Sequence, residues 1–553
     1  MSASTPSCAD RDEQRTIRTG AGPEHPGVTT TQPAAAPEQR VDRSRLVAGT
    51  VAGLLSLSAF LGVAELAAAL AGPAAAPAVA VGQRTIDAAP HELKDFAVRT
   101  FGEADKTVLL VGIFLTLALL SAAAGALAAR RLEVGLVAVA LLTAVTAAAA
   151  VGTPTGGLLD AVPAVLGGLA AGGVLRLLLG DRTAGVRTDP AGLRPAARPV
   201  SRRALLRYGV AVAAGAAAAG SVGRTLLADA RRAAASRMGI VLPAPASRAP
   251  APVGDPQVAV PGAVPFHTPN ADFYRVDTAL TVPQVDAATW SLRISGSVDR
   301  PTTLSFAELL SRPLVERDIT LTCVSNEVGG PYVGNARWTG VLLAPLLEEL
   351  GVQPGAEQVL SRSVDGWTCS TPMSAVLDGR DAMLAVAMNG EPLPVEHGFP
   401  VRMVVPGLYG YVSATKWVTE LELTTFDEPA YWTTRGYAEQ APIKTSSRID
   451  TPEPLAELAA GRVAIAGVAW AQGTGIAAVE VSIDEGPWQQ ARLAGEAGVD
   501  TWRQWVLPWD ATPGSHRLVV RATDRSGRTQ TATRRPVFPD GATGRQEVLV
   551  TVT

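Results

Sequence analysis

Cys323 is the residue whose type and position point most directly to chemistry. It ends an apolar, strand-like run, Ile319–Thr322, and begins a Gly- and Asn-rich stretch, VSNEVGGPYVGNARWTG. A thiol placed where a buried strand meets an irregular loop can face a cleft, and thiolates are good ligands for soft transition metals. Since the chain has three cysteines, a disulfide-rich framework is excluded. A small buried hydrophobe, or a disulfide to Cys369, are the alternatives for this thiol.

The sequence around Cys323 resembles the sulfite-oxidase family of molybdopterin enzymes. The similar strings are TCVSNEVGG and GNARWTG, followed downstream by NGEPLPVEHGFPVRMVVPG and SATKW, and the resemblance extends over about residues 265–553. In that family the cysteine matching Cys323 binds molybdenum through its thiolate. The resemblance therefore implies a molybdenum–molybdopterin cofactor and a molybdenum-dependent oxidoreductase with a two-electron, oxo-transfer-type reaction.

The resemblance also implies which residues bind the cofactor. His397 and Arg402 match family positions that contact the pterin phosphate, whereas Ala414, Thr415 and Lys416 match a segment that surrounds the cofactor with main-chain donors and a lysine charge. An anionic cofactor needs backbone N–H groups and cationic side chains of this kind. The alternative for the lysine is a solvated side chain at a strand end.

Two further segments match cofactor-contacting loops of the family. The first, Phe266–Tyr274, predicts that Asn270 and Tyr274 line the site and that His267 lies near the metal. Tyr274 and His267 are then the candidates for substrate contact or proton delivery. The second, SVDGW, places Asp365 at a pterin contact, although an Asp-Gly turn explains the same residues.

Two departures from the family pattern bear on the substrate. Sulfite oxidases carry arginines after the metal-binding cysteine and in the first loop, and the residues here are Glu327 and Pro269. Because a carboxylate near the metal would repel a dianion, we expect a small-molecule or protein-bound oxidised substrate other than sulfite. A sulfite dehydrogenase, a sulfoxide reductase and a metal-free cell-surface binding protein are the alternatives.

The amino-terminal half indicates a membrane protein. The net charge of −3 gives no indication of nucleic-acid binding, and residues 1–44 are too polar to fold and should form a disordered tail. Residues 45–229 then hold apolar runs long enough to cross a bilayer as helices, buried soluble helices being the alternative. There are five such runs: Leu46–Leu70, Val108–Ala129, Val134–Val151, Ala161–Leu179 and Leu205–Leu227.

The distribution of arginines orients these runs. Arginines precede the first run, lie between the second and third, and are dense before the fifth, whereas residues 152–160 contain none. By the positive-inside rule the amino terminus is cytoplasmic, and everything beyond about residue 230 is extracytoplasmic. The sequence SRRALL at 201–206 resembles a twin-arginine export signal, although the positive-inside rule alone would also produce an arginine pair.

The remaining residues predict two globular domains after a linker at 230–262. Residues 263–428 mix β-rich and helix-like segments, which is typical of an α+β fold. Residues 429–553 alternate strands with turns and predict an immunoglobulin-like β-sandwich. In the resembled family this is the dimerisation domain, so a homodimer is one expectation. The predicted fold class is thus multi-domain, with a five-helix transmembrane bundle, an α+β molybdopterin domain and the sandwich.

The sequence also limits how electrons can move. None of the histidines, at positions 25, 91, 267, 397 and 516, falls in an apolar run, so a b-type haem held within the bilayer is not expected. No Cys-x-x-Cys-His, cysteine cluster or Gly-x-Gly-x-x-Gly strand–helix unit is present. We therefore expect a separate redox partner to exchange the electrons.

Overall fold

The computed structural model describes residues 43–71, 75–90, 104–153, 156–183 and 231–553, with a few single positions between these ranges. The predicted tail therefore lies almost wholly outside the described residues. The same is true of the twin-arginine sequence and, apart from Gly215, of the fifth apolar run.

The described part of the amino-terminal region is helical, and four of its helices are long and apolar enough to cross a membrane. Their length and composition match the first four predicted runs. A shorter helix, with a proline in its first turn where the missing N–H is tolerated, follows the first of them. The helices are α1 (Arg43–Ala71), α2 (Pro77–Ala88), α3 (Asp105–Ala128), α4 (Leu132–Val151) and α5 (Val162–Thr183). A 3-10 turn, Leu158–Ala161, leads into α5.

The next domain mixes short helices with two five-stranded sheets, as the α+β prediction expects. One sheet has the order β2-β1-β10-β5-β6, and the other has the order β3-β4-β7-β8 with β9 paired to β7. The helices are α6 (Phe306–Leu310), α7 (Leu343–Leu350) and α8 (Met373–Leu377). The strands are β1 (Ser291–Gly296), β2 (Thr302–Ser305), β3 (Val315–Thr322), β4 (Val333–Leu342), β5 (Gln358–Ser363), β6 (Thr368–Pro372), β7 (Met383–Met388), β8 (Glu391–Pro392), β9 (Arg402–Val404) and β10 (Val418–Thr424).

One apolar core joins these two sheets and their helices. In α7, leucines recur at the spacing of one helix face and are all buried, which fixes this helix on the sheet. Strand β7 is buried along its whole length, since it lies between β4 and the short strands β8 and β9. The site loops therefore leave a rigid framework.

The carboxy-terminal domain consists of two β-sheets that share a core. The first has the order β11-β13-β17-β16 and the second β12-β19-β18-β14-β15, and buried side chains of both, such as Ile465 and Val520, meet in one cluster. Assignment to the immunoglobulin type stays a prediction. The strands are β11 (Ser446–Thr451), β12 (Glu457–Leu458), β13 (Gly461–Trp470), β14 (Ile476–Ile483), β15 (Gln489–Gln490), β16 (Arg492–Leu493), β17 (Arg503–Ala511), β18 (Gly514–Asp524) and β19 (Glu547–Val552).

This domain also holds the strand that carries the predicted metal ligand. The amide of Thr320 donates to the carbonyl of Asp500 at 3.0 Å, and its hydroxyl accepts from the amide of Trp502 at 2.7 Å. The last four residues of β3 are consequently buried, polar and apolar alike. The end of β3, which Cys323 follows directly, is thus held by β4 on one side and by the carboxy-terminal domain on the other.

Candidate active site

The loops at one end of the α+β domain enclose a cavity of about 300 Å³. It collects residues from six separate segments of the domain, which lie between Phe273 and Tyr437. The predicted site residues that line it are Tyr274, Cys323, Asp365, His397, Arg402, Ala414 and Lys416.

Cys323 is positioned by the connection between β3 and β4. The two strands pair antiparallel up to Thr322 and Val333, and the Cys323 amide then donates to the carbonyl of Tyr332 at 3.0 Å. The side-chain oxygen of Asn326 accepts from the Tyr332 amide at 2.8 Å and so braces the loop. Cys323 is half-buried at the cavity wall, which leaves its sulfur able to meet a bound group.

The second globular cysteine has a different role. Cys369 lies on β6, is fully buried, and does not form a disulfide with Cys323. Burial raises the pKa of the Cys369 thiol, so the thiol stays protonated. Cys369 is therefore a small buried apolar residue, and the alternative of a disulfide between Cys323 and Cys369 is not found.

A tight turn brings the three predicted phosphate-binding side chains together. Gly398 has φ +108°, and a Cβ at this position would lie 3.0 Å from the Cβ of Lys416 and 3.1 Å from that of Arg402. Only glycine suits both the backbone conformation and the close approach. The guanidinium of Arg402 donates to the carbonyl of His397 at 3.1 Å and lies 5.0 Å from the ring centre of Trp338.

Burial perturbs all three of these groups. It lowers the pKa of His397 to about 4, with the Arg402 charge contributing, and it lowers the pKa of Arg402 to about 10. Burial also lowers the pKa of Lys416 to about 8, against the opposing attraction of Asp277. At neutral pH His397 is neutral, whereas Arg402 and Lys416 carry buried positive charge, which favours an anionic ligand.

Tyr274 lines the same cavity as Cys323. Its ring stacks on Phe273 at 5.2 Å and meets Tyr332 edge-on at 6.3 Å. Burial raises the pKa of Tyr274, and the negative charge of a Cys323 thiolate raises it further. The phenol therefore keeps its proton and is available as a hydrogen-bond donor in the cavity.

Three predicted site residues do not reach the cavity wall. His267 contacts the carboxylate of Asp318 at 2.9 Å, away from the cavity. The side chain of Asn270 donates to Glu391 and accepts from Asn389, and its backbone carbonyl accepts from His397 Nε2 at 3.0 Å. Thr415 is buried behind the wall, with its hydroxyl 2.7 Å from that of Ser361. Asn270 thus holds His397 in place, and the expected position of His267 near the metal has no counterpart in the cavity lining.

The structure adds cavity residues that the sequence did not single out. Ser363 and Trp367 flank Asp365, and among the described residues neither the Ser363 hydroxyl nor the Trp367 indole N–H has a hydrogen-bond partner, although both are buried. The Asp365 carboxylate accepts from the Trp367 amide at 3.2 Å, which is the turn alternative for that residue. Buried groups of this kind normally have partners, so both are placed to bind a polar ligand.

The donor set fits the cofactor that the resemblance implies. A half-buried thiol can bind molybdenum, two buried cations suit a phosphate, and two partnerless buried groups suit a polar pterin ring. The fit rests on residues that line one cavity.

Comparisons with known proteins bear on the family of this chain. Residues 279–432 match the family model described as "oxidoreductase molybdopterin binding domain". The sulfite oxidase of Gallus gallus is 30% identical over 322 residues, covering 49% of this chain and 70% of that protein. The chain spans 59% of the mitochondrial sulfite oxidases of mouse and human.

Two other similar proteins are bacterial. "Uncharacterized oxidoreductase YuiH" of Bacillus subtilis is 37% identical over 172 residues, covering 31% of this chain and 79% of that protein. The crystal structure of the sulfane dehydrogenase SoxCD from Paracoccus pantotrophus matches with 27% identity and a TM-score of 0.46, covering 52% of this chain and 81% of that chain. The relative from Gallus gallus is similar enough, over enough of its length, to fix the assignment: this chain is a molybdenum-dependent oxidoreductase that belongs to the sulfite-oxidase family of molybdopterin enzymes.

Proposed function

We propose that this protein is a membrane-anchored enzyme that carries out a two-electron, oxo-transfer-type reaction on the extracytoplasmic side. One observation carries the proposal: the Cys323 thiol and the Arg402 and Lys416 cations open into the same cavity. A metal-binding thiol and a phosphate-binding pair in one enclosed space are the two features that a molybdopterin site requires of its protein.

In this proposal each side chain has a defined task. Cys323 binds molybdenum, Arg402 and Lys416 bind the pterin phosphate, and the bound cofactor supplies the two-electron change and the transfer of the oxygen atom. The Ser363 hydroxyl and the Trp367 indole N–H, which have no partner among the described residues, form hydrogen bonds with the pterin. Tyr274, which keeps its proton, donates a hydrogen bond toward the substrate oxygen.

The cavity favours a neutral substrate over sulfite, but not for the reason expected from the sequence. Glu327 is exposed and lines a separate small cavity, so its carboxylate does not provide the expected repulsion. Among the described residues, Arg402 is the only arginine that lines the main cavity, and the lining residues that follow Cys323 in sequence, Val324 and Ser325, are uncharged. We infer that the substrate is a small neutral oxidised compound, such as a sulfoxide or an N-oxide.

The five-span topology gains support from contacts across the chain. The segment between α1 and α3 packs against the oxidoreductase domain, where the Tyr431 hydroxyl donates to Asp87 at 2.7 Å. Both parts must then lie on the same side of the membrane, so the chain between them must cross an even number of times. Helices α3, α4 and α5 supply three crossings, and a helix over Leu205–Leu227 would supply the fourth. The distribution of arginines places the shared side outside.

Electrons would reach or leave the site through a separate redox partner. None of the histidines falls within an apolar run, so the anchor offers no histidine ligands for a haem in the bilayer. A homodimer through the carboxy-terminal domain, and export through the twin-arginine sequence, are further parts of the proposal.

The test uses the full chain, purified in detergent, and the variant Cys323→Ala. We expect stoichiometric molybdenum and dye-linked turnover of sulfoxides or N-oxides in the unmodified chain. The variant should lose turnover, because the metal loses its protein ligand. Cys369→Ala is the matched control, since it removes a buried thiol that does not line the cavity.

Two results would count against the proposal. A full chain without molybdenum, produced in a host that makes molybdopterin, would refute the cofactor assignment for this site. Turnover of sulfite at a rate above that of every neutral oxide would overturn the substrate inference and leave the cofactor assignment standing.

A further inference from the structure

The membrane region is part of the wall of the molybdopterin cavity. Ile86 and Ala89 at the carboxyl end of α2, and Lys106 and Leu109 in the first turn and a half of α3, line the same cavity as Cys323. All four residues precede His267, the first predicted site residue, by more than 150 positions. We call the described residues 75–90 and 104–109 the roof segment.

Several contacts fix the roof segment on the oxidoreductase domain. A Cβ at Gly82 would lie 2.5 Å from a methyl carbon of Leu280, so this helix and this side chain touch closely. Asp87 accepts from the Tyr431 hydroxyl at 2.7 Å and lies 3.9 Å from the guanidinium of Arg435. The roof therefore has a defined position over the cavity.

The roof segment brings a lysine to the cationic end of the cavity. The ammonium of Lys106 donates to one carboxylate oxygen of Asp277, and the other oxygen accepts from Lys416 at 2.7 Å and Arg275 at 3.0 Å. Asp277 is 5% exposed. Burial alone would raise its pKa, but the three cations hold the pKa of this carboxyl well below its usual range.

Positive charge is concentrated around one carboxylate at this end of the cavity. Lys106, Lys416 and Arg275 all donate to Asp277, and Arg402 lines the same cavity. The other acids that line the cavity, Asp105 and Asp365, accept hydrogen bonds from backbone amides, at 2.7 Å from Lys106 and 3.2 Å from Trp367. Because three cations share the single carboxylate of Asp277, an additional anion would be attracted to the side of the cavity where Lys106 and Lys416 meet.

We propose that Lys106 is a cofactor-binding residue, and that it holds the phosphate of molybdopterin together with Lys416. The inference rests on the proposed function, since it takes the molybdopterin to occupy this cavity. Both ammonium groups already meet at one carboxylate, so both can reach one phosphate group. The membrane region then contributes directly to the cofactor site.

The experiment measures how fast the purified full chain loses its cofactor. Lys106→Met removes the charge and keeps the side-chain length, whereas Lys106→Arg keeps the charge. Pterin fluorescence and molybdenum in the filtrate, followed after dilution, give the release rate. We expect Lys106→Met to release cofactor about 10- to 100-fold faster, the equivalent of one charge-assisted hydrogen bond, and Lys106→Arg to restore most of the retention.

Lys444 offers a matched control. It pairs with Asp540 at 3.0 Å and donates to the carbonyl of Gly541 at 2.8 Å, and it does not line the cavity. Lys444→Met should release cofactor at the rate of the unmodified chain. Equal release rates for Lys106→Met and Lys444→Met would overturn the inference.

A second variant separates phosphate binding from simple docking of the roof. If Lys106 binds phosphate, Asp277→Asn removes a competing anion, and release should be as slow as in the unmodified chain or slower. If Lys106 only pins the roof to Asp277, Asp277→Asn should speed release as much as Lys106→Met does, and the inference would be wrong. An unmodified chain without molybdenum would instead refute the proposed function.

Discussion

Replacing Lys416 by methionine should make the cofactor-free protein more stable while abolishing cofactor binding. Lys416 carries a positive charge in a site where its side chain is 10% exposed. The ammonium bonds Asp277 at 2.7 Å and the carbonyl of Glu396 at 3.3 Å. Methionine has a similar length and no charge, so it fills the same space without the desolvation cost.

The magnitude follows from the Lys416 pKa. Burial lowers it from 10.5 to about 8, and this value already includes the attraction to Asp277. The fall is equivalent to about 3 kcal/mol of unfavourable free energy for the charged form in the folded protein. For a domain of this size the substitution should raise the melting temperature of the cofactor-free chain by about 6–12 °C at pH 7.

The pH dependence has a definite sign. Below about pH 8 the lysine is protonated in both the folded and the unfolded chain, and the full cost is present. Between about 8 and 10.5 the unfolded chain binds the proton and the folded chain does not, so stability rises with pH in this window. In Lys416→Met this contribution to the rise should be absent.

The assay is calorimetry of the detergent-solubilised full chain, produced in a host that makes no molybdopterin, with molybdenum analysis of the same variant from a host that does. Lys444→Met is the control, because its ion pair is more exposed and should change stability by about 0–1 kcal/mol. The reasoning is refuted if Lys416→Met melts at or below the temperature of the unmodified cofactor-free chain, or if it retains a full complement of molybdenum.

Three other substitutions test separate parts of the site. Tyr274→Phe should lower kcat by roughly 10²-fold with molybdenum content unchanged, since it removes a positioned proton donor; an unchanged kcat would remove Tyr274 from the reaction. Ser363→Ala should stabilise the cofactor-free chain by about 1 kcal/mol, because it deletes a buried hydroxyl that has no partner among the described residues, and a loss of stability in calorimetry would contradict this. Gly398→Ala should destabilise the chain by about 1–3 kcal/mol and reduce molybdenum content, because the residue has φ +108°; a neutral effect on both would be the contrary result.

The sequence was informative where one short motif predicts both the local backbone structure and the functional side chain on it. Cys323, His397 and Arg402 line the cavity, because each sits in a short string whose glycines and prolines set the local turn. Lys416 lines it from the string SATKW. The apolar character of Ile319–Thr322 predicted a buried strand, and β3 ends at Thr322. Local patterns of this kind depend little on distant parts of the chain.

The sequence was less informative where a side chain has competing partners. His267 and Asn270 lie in the expected loop, but Asp318 and Asn389 bind them away from the cavity. Glu327 follows the metal ligand closely in sequence, yet the turn at 327–330 directs it outward. Which neighbour a polar side chain meets depends on the fold of the loop, and residue types alone do not determine that.

The contribution of the roof segment could not be predicted at all. Lys106 and Asp277 are 171 positions apart, and the sequence around Lys106, at the start of α3, is an ordinary mixture of charged and apolar residues. Only the packing of α2 and α3 against the oxidoreductase domain brings them together. The same packing requires an even number of membrane crossings between α2 and the oxidoreductase domain, and so supports a fifth span. The sequence alone supported that span only by the length of its apolar run.

The most direct test of the account is molybdenum X-ray absorption spectroscopy of the full chain, compared with Cys323→Ser. We expect the unmodified chain to show one more sulfur neighbour at molybdenum than the variant, because the Cys323 thiolate is the ligand that the protein itself provides. Identical sulfur coordination in the two proteins would contradict the assignment of Cys323 as the metal ligand.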